Sequence, residues 1–221
     1  MSKIVHPYAH RLIILRDWKS RWFASPKQYV KFLKGDVLLR EFLEKKLRTM
    51  YVSQVEIERN QKTTRFIIKT SRPGLLIGRN GEGVTKLKED ILKKMDSLKL
   101  SRPDDFKLEI VEITNPEADA AIVSYMVREG LEKRMPYRRV MKQVIEKVMQ
   151  APGVEGVRIV LGGRLGGAEI ARSEELKKGS IPLQTFRADI DFKRERANLP
   201  YGVIGIKVWV YRGKVFAQKT K

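Results

Sequence analysis

The 221 residues suffice for one large domain or two small ones, each with its own core, and the 42% hydrophobic content is ordinary for a globular chain. Lys+Arg 46 against Asp+Glu 26 leaves a formal charge of +20; a compact body so charged repels itself until polyanion phosphates replace its counterions, so nucleic acid is the expected partner. The lack of cysteine excludes disulfides, thiolate nucleophiles and cysteine-bound zinc, and the lack of a bilayer-length apolar run, a signal-peptide cleavage pattern or a basic amphipathic anchor predicts a cytoplasmic protein with no membrane partner.

Residues 1–24 read as an N-terminal arm, a strap over a groove: His6, Pro7, Tyr8 and His10 lack periodicity, and Trp18, Trp22 and Phe23 stand among Arg16, Lys19 and Arg21. Ser25-Pro26-Lys27-Gln28 has the form of a capping box with proline at the first helical position. A helix is predicted there, interrupted at Gly35-Asp36 and resumed from Val37 to about Arg48 with Leu39, Phe42, Leu43 and Leu47 inward. Strands are expected over Val52 to Glu58 and Thr64 to Lys69, joined by the turn Arg59-Asn60-Gln61-Lys62. One apolar turn, Leu75-Leu76-Ile77, precedes Gly78-Arg79-Asn80-Gly81. Val84, Leu87, Ile91, Met95 and Leu98 then recur at helical spacing until Arg102-Pro103-Asp104, and Phe106 to Ile113 alternates as a strand.

Thr114-Asn115-Pro116-Glu117 marks a boundary and starts a helix to about Leu131; after Met135-Pro136 a second helix runs to Gln150, stopped by Pro152-Gly153. Period-two patterning follows over Val157 to Leu161, Ala168 to Arg172, Thr185 to Phe192 and Val203 to Tyr211. In the last of these Ile204, Ile206, Val208 and Val210 share one face, with Lys207, Trp209 and Tyr211 on the other; the two aromatics read as sheet-surface packing rather than base-stacking platforms. The expected fold class is α+β. A domain over 25–113 has the order helix, strand, strand, helix, helix, strand, and one over 114–212 is a two-layer sandwich of two helices on a mainly antiparallel four-stranded sheet, with 213–221 a basic tail.

Gly78-Arg79-Asn80-Gly81 carries the most chemistry. Between two helices it forces a tight turn in which glycine tolerates positive φ and lets a phosphate approach bare backbone, while the next helix aims free N–H groups at it and Arg79 adds charge. A lone G-x-x-G is common by chance and is most often an ordinary glycine-rich turn. Placed between two helices and flanked by these strands, it resembles the clamp of a type II KH domain, which holds the sugar-phosphate backbone beside a groove for bases.

Arg134, Arg138, Arg139 and Lys142 form a second group. On a helical wheel Val140, Met141, Val144, Ile145 and Val148 span an arc of about 140°, and Arg138, Arg139 and Lys142 fill roughly 100° beside it, a cationic ridge on an anchored helix. A solvated helix face is the commoner fate of such a run, and Glu132 and Glu146 are its nearest helical acids. Gly162-Gly163-Arg164-Leu165-Gly166-Gly167 reads as a hairpin with bulges, and Arg164, Arg172, Lys177 and Lys178 around it are candidates to line RNA where the glycines permit close approach.

Val5-His6-Pro7, Arg72-Pro73-Gly74, the KH-type loop, Gly163 to Arg172, Arg187-Ala188-Asp189-Ile190-Asp191 and Tyr201-Gly202-Val203-Ile204-Gly205 together resemble the bacterial small-subunit ribosomal protein of the universal S-three family, in order over nearly the whole chain. The resemblance implies a place in the head of the small subunit, bound to its ribosomal RNA, for which Arg134, Arg164, Arg172, Lys177 and Lys178 are the candidate contacts, and close to the S-ten and S-fourteen proteins. It further implies that Arg138, Arg139 and Lys142 face incoming messenger RNA and help unwind its hairpins. No catalytic residue, cofactor or metal is expected, because His6 and His10 are two histidines near one terminus and no nucleophile, base and orienter can be assembled. Ala9-His10 and Ile13 stand where the family pattern has glycines, and Asn80 where a lysine is frequent. Two rival readings are a free-standing KH regulator and, because some eukaryotic relatives are credited with nicking damaged DNA, an enzyme using Asp189 and Asp191; Arg187 and Lys193 favour ion pairing of those acids instead.

Overall fold

The computed structural model describes residues 5–60, 63–98, 100 and 105–215. The Gln61-Lys62 half of the first turn, the stop Arg102-Pro103-Asp104 and the tail beyond Val215 lie outside the described residues. The chain divides into two compact units, one holding residues up to Asp17 and from Asn115 onward, the other Trp18–Thr114. Residues 5–17 of the expected arm thus lie with the first unit and 18–24 with the second.

In the Trp18–Thr114 unit the order is β1 (Ser20–Arg21), α1 (Pro26–Lys46), β2 (Val52–Arg59), β3 (Thr63–Thr70), α2 (Pro73–Ile77), α3 (Glu82–Ser97) and β4 (Asp105–Glu112). The expected order of elements holds, with the two-residue β1 added at the sheet edge. Among the described residues the sheet runs β1-β2-β3-β4, with β2 antiparallel to β3 and the outer pairs parallel. Leu39, Leu43, Ile57, Phe66, Ile68, Ile91 and Met95 fill its core. Lys46 of α1 pairs with Asp90 of α3, which holds that carboxyl below the usual carboxylate range.

Two local expectations in α1 are corrected. The helix passes through Gly35-Asp36 without a break. The Asp36 carboxylate is buried and accepts hydrogen bonds from Trp22 Nε1 (2.7 Å) and Arg59 Nη2 (2.8 Å), the pairing a buried charge requires. A Cβ on Gly35 would stand 3.0 Å from the Leu100 side chain, so the pair marks a packing contact. Ser25 precedes the helix but caps no backbone N–H; its hydroxyl meets Gln28 Oε1 at 3.3 Å, leaving Pro26 as the start signal.

The other unit contains α4 (Ala120–Glu132), α5 (Tyr137–Gln150), β5 (Gly156–Gly163), β6 (Arg172–Gly179), β7 (Ala188–Leu199) and β8 (Gly202–Lys214). Among the described residues its sheet has the order β6-β5-β8-β7, antiparallel throughout. Val157, Ile159 and Leu161 of β5 and Ile204, Ile206, Val208 and Val210 of β8 face α4 and α5 in one core. Helix α4 starts later than expected: Pro116–Ala118 is a 3-10 turn, and the Asp119 carboxylate caps Ala121 and Ile122 N–H. The expected strand at Ala168 to Arg172 is loop, and β6 begins where that segment ends; its Ser173-Glu174-Glu175-Leu176-Lys177-Lys178 has little apolar alternation because it is an edge strand held by backbone pairing to β5. Strand β7 likewise lies further along than Thr185 to Phe192 and continues through Lys193-Arg194-Glu195-Arg196.

The sheet face away from the helices has a smaller core of Ala188, Ile190, Phe192, Trp209 and Tyr211, joined by Ile181 and Leu183. Trp209 and Tyr211 are therefore packing residues, and Phe192 lies 4.8 Å from the Trp209 ring. N-terminal residues tie down this face. The His6 ring meets Phe192 edge-on at 4.7 Å, and Arg16 pairs with Asp189 at 2.6 Å. Arg11 is fully buried and donates to the carbonyls of Pro7 (3.0 Å), Leu183 (3.1 Å), Thr185 (2.9 Å) and Ala188 (2.7 Å), while burial pulls its pKa below the ordinary arginine value. Ile13 has φ +72°, so the backbone keeps a glycine conformation under a β-branched side chain.

Candidate nucleic-acid interface

The glycine loop is a 3-10 turn, Arg79–Gly81, between α2 and α3. Gly78 (φ +70°), Asn80 (φ +50°) and Gly81 (φ +81°) occupy the left-handed region. Asparagine tolerates that conformation better than lysine does, so Asn80 shapes the loop while giving up a cation. A Cβ on Gly81 would meet open space, whereas one on Gly83 would lie 2.3 Å from Leu76 O; the first glycine leaves backbone bare, and the second lets α3 cross α2 closely. Arg79 is exposed. Leu75 and Ile77 of α2 are exposed apolar residues, as is Val111 on β4, the strand α2 packs against. The turn thus joins bare backbone, a cation and an apolar strip, the parts needed to hold a sugar-phosphate chain and cover its bases.

On α5, Val140, Met141, Val144, Ile145 and Val148 are buried and Arg138, Arg139 and Lys142 exposed, as the wheel requires. Each fully buried aliphatic contributes about 1.5–3 kcal/mol, so the cations sit on a firmly seated helix. Arg139 and Lys142 have no ion-pair partner among the described residues. Arg138 has one that helical spacing could not reveal, Glu174 of β6. Glu174 Oε1 accepts from Tyr137 OH (2.8 Å) and Arg138 Nη2 (3.3 Å) and lies 3.4 Å from Arg172 Nε, while Arg172 Nη2 donates to Tyr137 OH (3.1 Å). The hydrogen bonds from Arg138 and then Tyr137 hold the Glu174 carboxyl below its usual range, and Glu174 in turn raises the Arg138 pKa. Glu132, expected near the ridge, lies by Arg128 instead, at 3.9 Å.

The remaining candidates separate. Arg134 is exposed with φ +59°, at the end of α4, where its N–H bonds Leu131 O and the Met135 N–H reaches Gly130 O, a helix stop that normally takes glycine. Arg164 is half-buried and bonds Ala168 O (2.9 Å) and Tyr201 O (3.1 Å), which ties the glycine-rich turn to the β7–β8 hairpin. Arg172 and Lys178 lie on the helix-facing side of β6 and Lys177 on the opposite side; both lysines are exposed. The two acids considered for catalysis are engaged, Asp189 with Arg16 and Arg212, and Asp191 with Arg212 (2.9 Å) and the Ala120 N–H (3.0 Å). Their partners are thus Arg16 and Arg212 rather than Arg187 and Lys193. Among the described residues no three metal-ligating side chains gather into a site.

A helix–strand–strand–helix–helix–strand unit with a glycine-bounded turn between its paired helices, joined to a sandwich bearing a cationic helix, defines an RNA-binding protein of the KH class. Residues 38–118 match the KH domain model and residues 127–210 the model of the ribosomal protein S3 C-terminal domain. The chain is 44% identical over 221 residues to small ribosomal subunit protein uS3 of Maridesulfovibrio salexigens, covering all of both chains. It is 42% identical to the proteins of the same name in Caldicellulosiruptor bescii and Pseudomonas aeruginosa, spanning all of this chain and 96% and 93% of theirs. It belongs to the uS3 family of small ribosomal subunit proteins.

Proposed function

We propose that this chain is a structural constituent of the small ribosomal subunit head in the cytoplasm, where it binds ribosomal RNA and presents Arg138, Arg139 and Lys142 to messenger RNA as it enters the subunit. The single observation behind the messenger role is the division of α5, with five apolar side chains buried and three cations exposed on the adjoining arc. A fixed row of charges holds the phosphates of a separated strand at little entropic cost, so an opened base pair recloses less readily while translation pulls the message. The clamp at Gly78 to Gly81 holds an RNA backbone, and the S-ten and S-fourteen proteins are the neighbours the family resemblance implies. The chain needs no catalytic step in this role.

Small subunits carrying Arg138→Ala, Arg139→Ala and Lys142→Ala test the reading. They should assemble and sediment normally, translate unstructured messages at the ordinary rate and slow on messages with stable hairpins. Equal slowing on both kinds of message would contradict it.

A further inference from the structure

Among the described residues the sheet face away from α4 and α5 is only half covered. Its first half is closed by Phe192, Trp209 and Tyr211 under the N-terminal residues. Beyond them β7 presents Arg194 and Arg196, and β8 presents Lys207 and Gly205, all exposed. Arg194 stands directly across from Lys207 in the antiparallel register, and Arg196 across from Gly205. Like charges so placed on neighbouring strands destabilise a sheet unless an anion lies between them. The nearby acid on this face, Glu175, already pairs with Arg158, and neither Arg194 nor Lys207 has an ion-pair partner among the described residues. Gly205 pairs in turn with Gly162 of β5, and a Cβ on Gly162 would touch nothing within 4 Å, so a strip of bare backbone runs beside the cations. Lys177, opposite Arg158 on the edge strand, extends the positive charge.

From this arrangement we infer that the open half of the outer sheet face is a second RNA site, holding the phosphate backbone of ribosomal RNA through Arg194 and Lys207, with the Gly162–Gly205 strip allowing close approach. The site lies across the sheet from the ridge on α5, so one strand cannot occupy both, and ribosomal RNA, the permanent partner, is the occupant it suits. The inference does not depend on the messenger role of the ridge.

The test uses the full chain with Arg194→Gln and Lys207→Gln, and as probe an RNA duplex of roughly 20 base pairs. The slope of log affinity against log salt should become shallower by about 1.5 to 2, since each lost phosphate contact removes roughly 0.9. The melting temperature should hold or rise, because the like-charge pair is gone; should the glutamines disturb the strands, Arg194→Thr with Lys207→Thr keeps β-compatible side chains there. The same change in slope should follow when Arg138, Arg139 and Lys142 are already alanine. An unchanged slope, or a change that vanishes in that background, overturns the site. In mixed reconstitution the doubly substituted chain should be incorporated less than the unsubstituted one; equal incorporation with slowing confined to structured messages would assign the face to messenger and overturn the choice of ribosomal RNA.

Discussion

The loop at Gly78 to Gly81 and the ridge on α5, the two RNA contacts proposed above, are built by opposite means. The loop spends sequence on backbone shape: three of its four residues have positive φ, and a single cation, Arg79, stands among them. The ridge spends sequence on charge, with ordinary helical backbone and cations whose placement comes from five buried neighbours. Grip made from backbone is lost through small changes of shape, whereas grip made from side chains is lost through removal of charge while the fold survives. The proposed loss of messenger handling with normal assembly in the ridge variant is the second half of that statement.

The first half is tested most severely at Gly83. An added Cβ would lie 2.3 Å from Leu76 O and 2.8 Å from Ile77 O, both backbone, so α2 must move away from α3. Gly83→Ala is expected to destabilise the Trp18–Thr114 unit by about 3 kcal/mol, the upper part of the range for overpacking. Hydrogen exchange should show lost protection in α2 and α3 with α5 unaffected, and RNA affinity should fall with no change in formal charge. Unaltered protection would mean that the loop geometry is not set by this close crossing.

Arg134 lies between the two extremes, a cation placed where the backbone wants glycine. Its φ of +59° at the end of α4 costs roughly 1 kcal/mol for a residue with a side chain. Arg134→Gly should therefore raise stability in thermal unfolding by up to about 1 kcal/mol while weakening RNA binding and reducing the salt slope by about 0.9. A gain in stability with no loss of affinity would remove Arg134 from the interface and leave its strain without a purpose.

Much of this was legible in the sequence where one segment alone decides the outcome. The wheel of α5 and the alternation of β8 are self-contained patterns, and both appear in the fold as read. Readings failed where a distant partner decides. Gly35-Asp36 looks like a helix break until Trp22, Arg59 and Leu100 are seen around it. Strand β6 has no apolar rhythm because its place comes from the ladder with β5, and the N-terminal residues gave no sign of Phe192 or Ala188, more than 170 positions away. Glu174 was missed for the same reason. A charged residue on an edge strand has no local signature as the partner of Arg138, and the cations of the outer sheet face become a patch only when the β7–β8 register sets Arg194 against Lys207.

Glu174 also supplies the smallest expected effect and the finest distinction between shape and charge. As a carboxylate it subtracts from the ridge's positive field, yet its bonds to Tyr137, Arg138 and Arg172 fix where two cations point. Glu174→Gln removes the negative charge and keeps the volume, so affinity for single-stranded RNA should change by less than about fivefold, as expected of an exposed pair, and toward tighter binding. The order of Arg138 should nevertheless fall, read as broadening of its Nε–H signal in NMR spectra. The pH dependence has a definite sign. Because the folded Glu174 carboxyl titrates below its unfolded value, the network is intact above the ordinary glutamate range and is lost only as pH falls through the lowered folded value. The Arg138 signal should therefore persist on acidification through roughly pH 4.3 and disappear beneath it. Loss at or above that point, or a signal indifferent to Glu174→Gln, would leave Arg138 as a freely solvated charge and reduce the ridge to electrostatics without geometry.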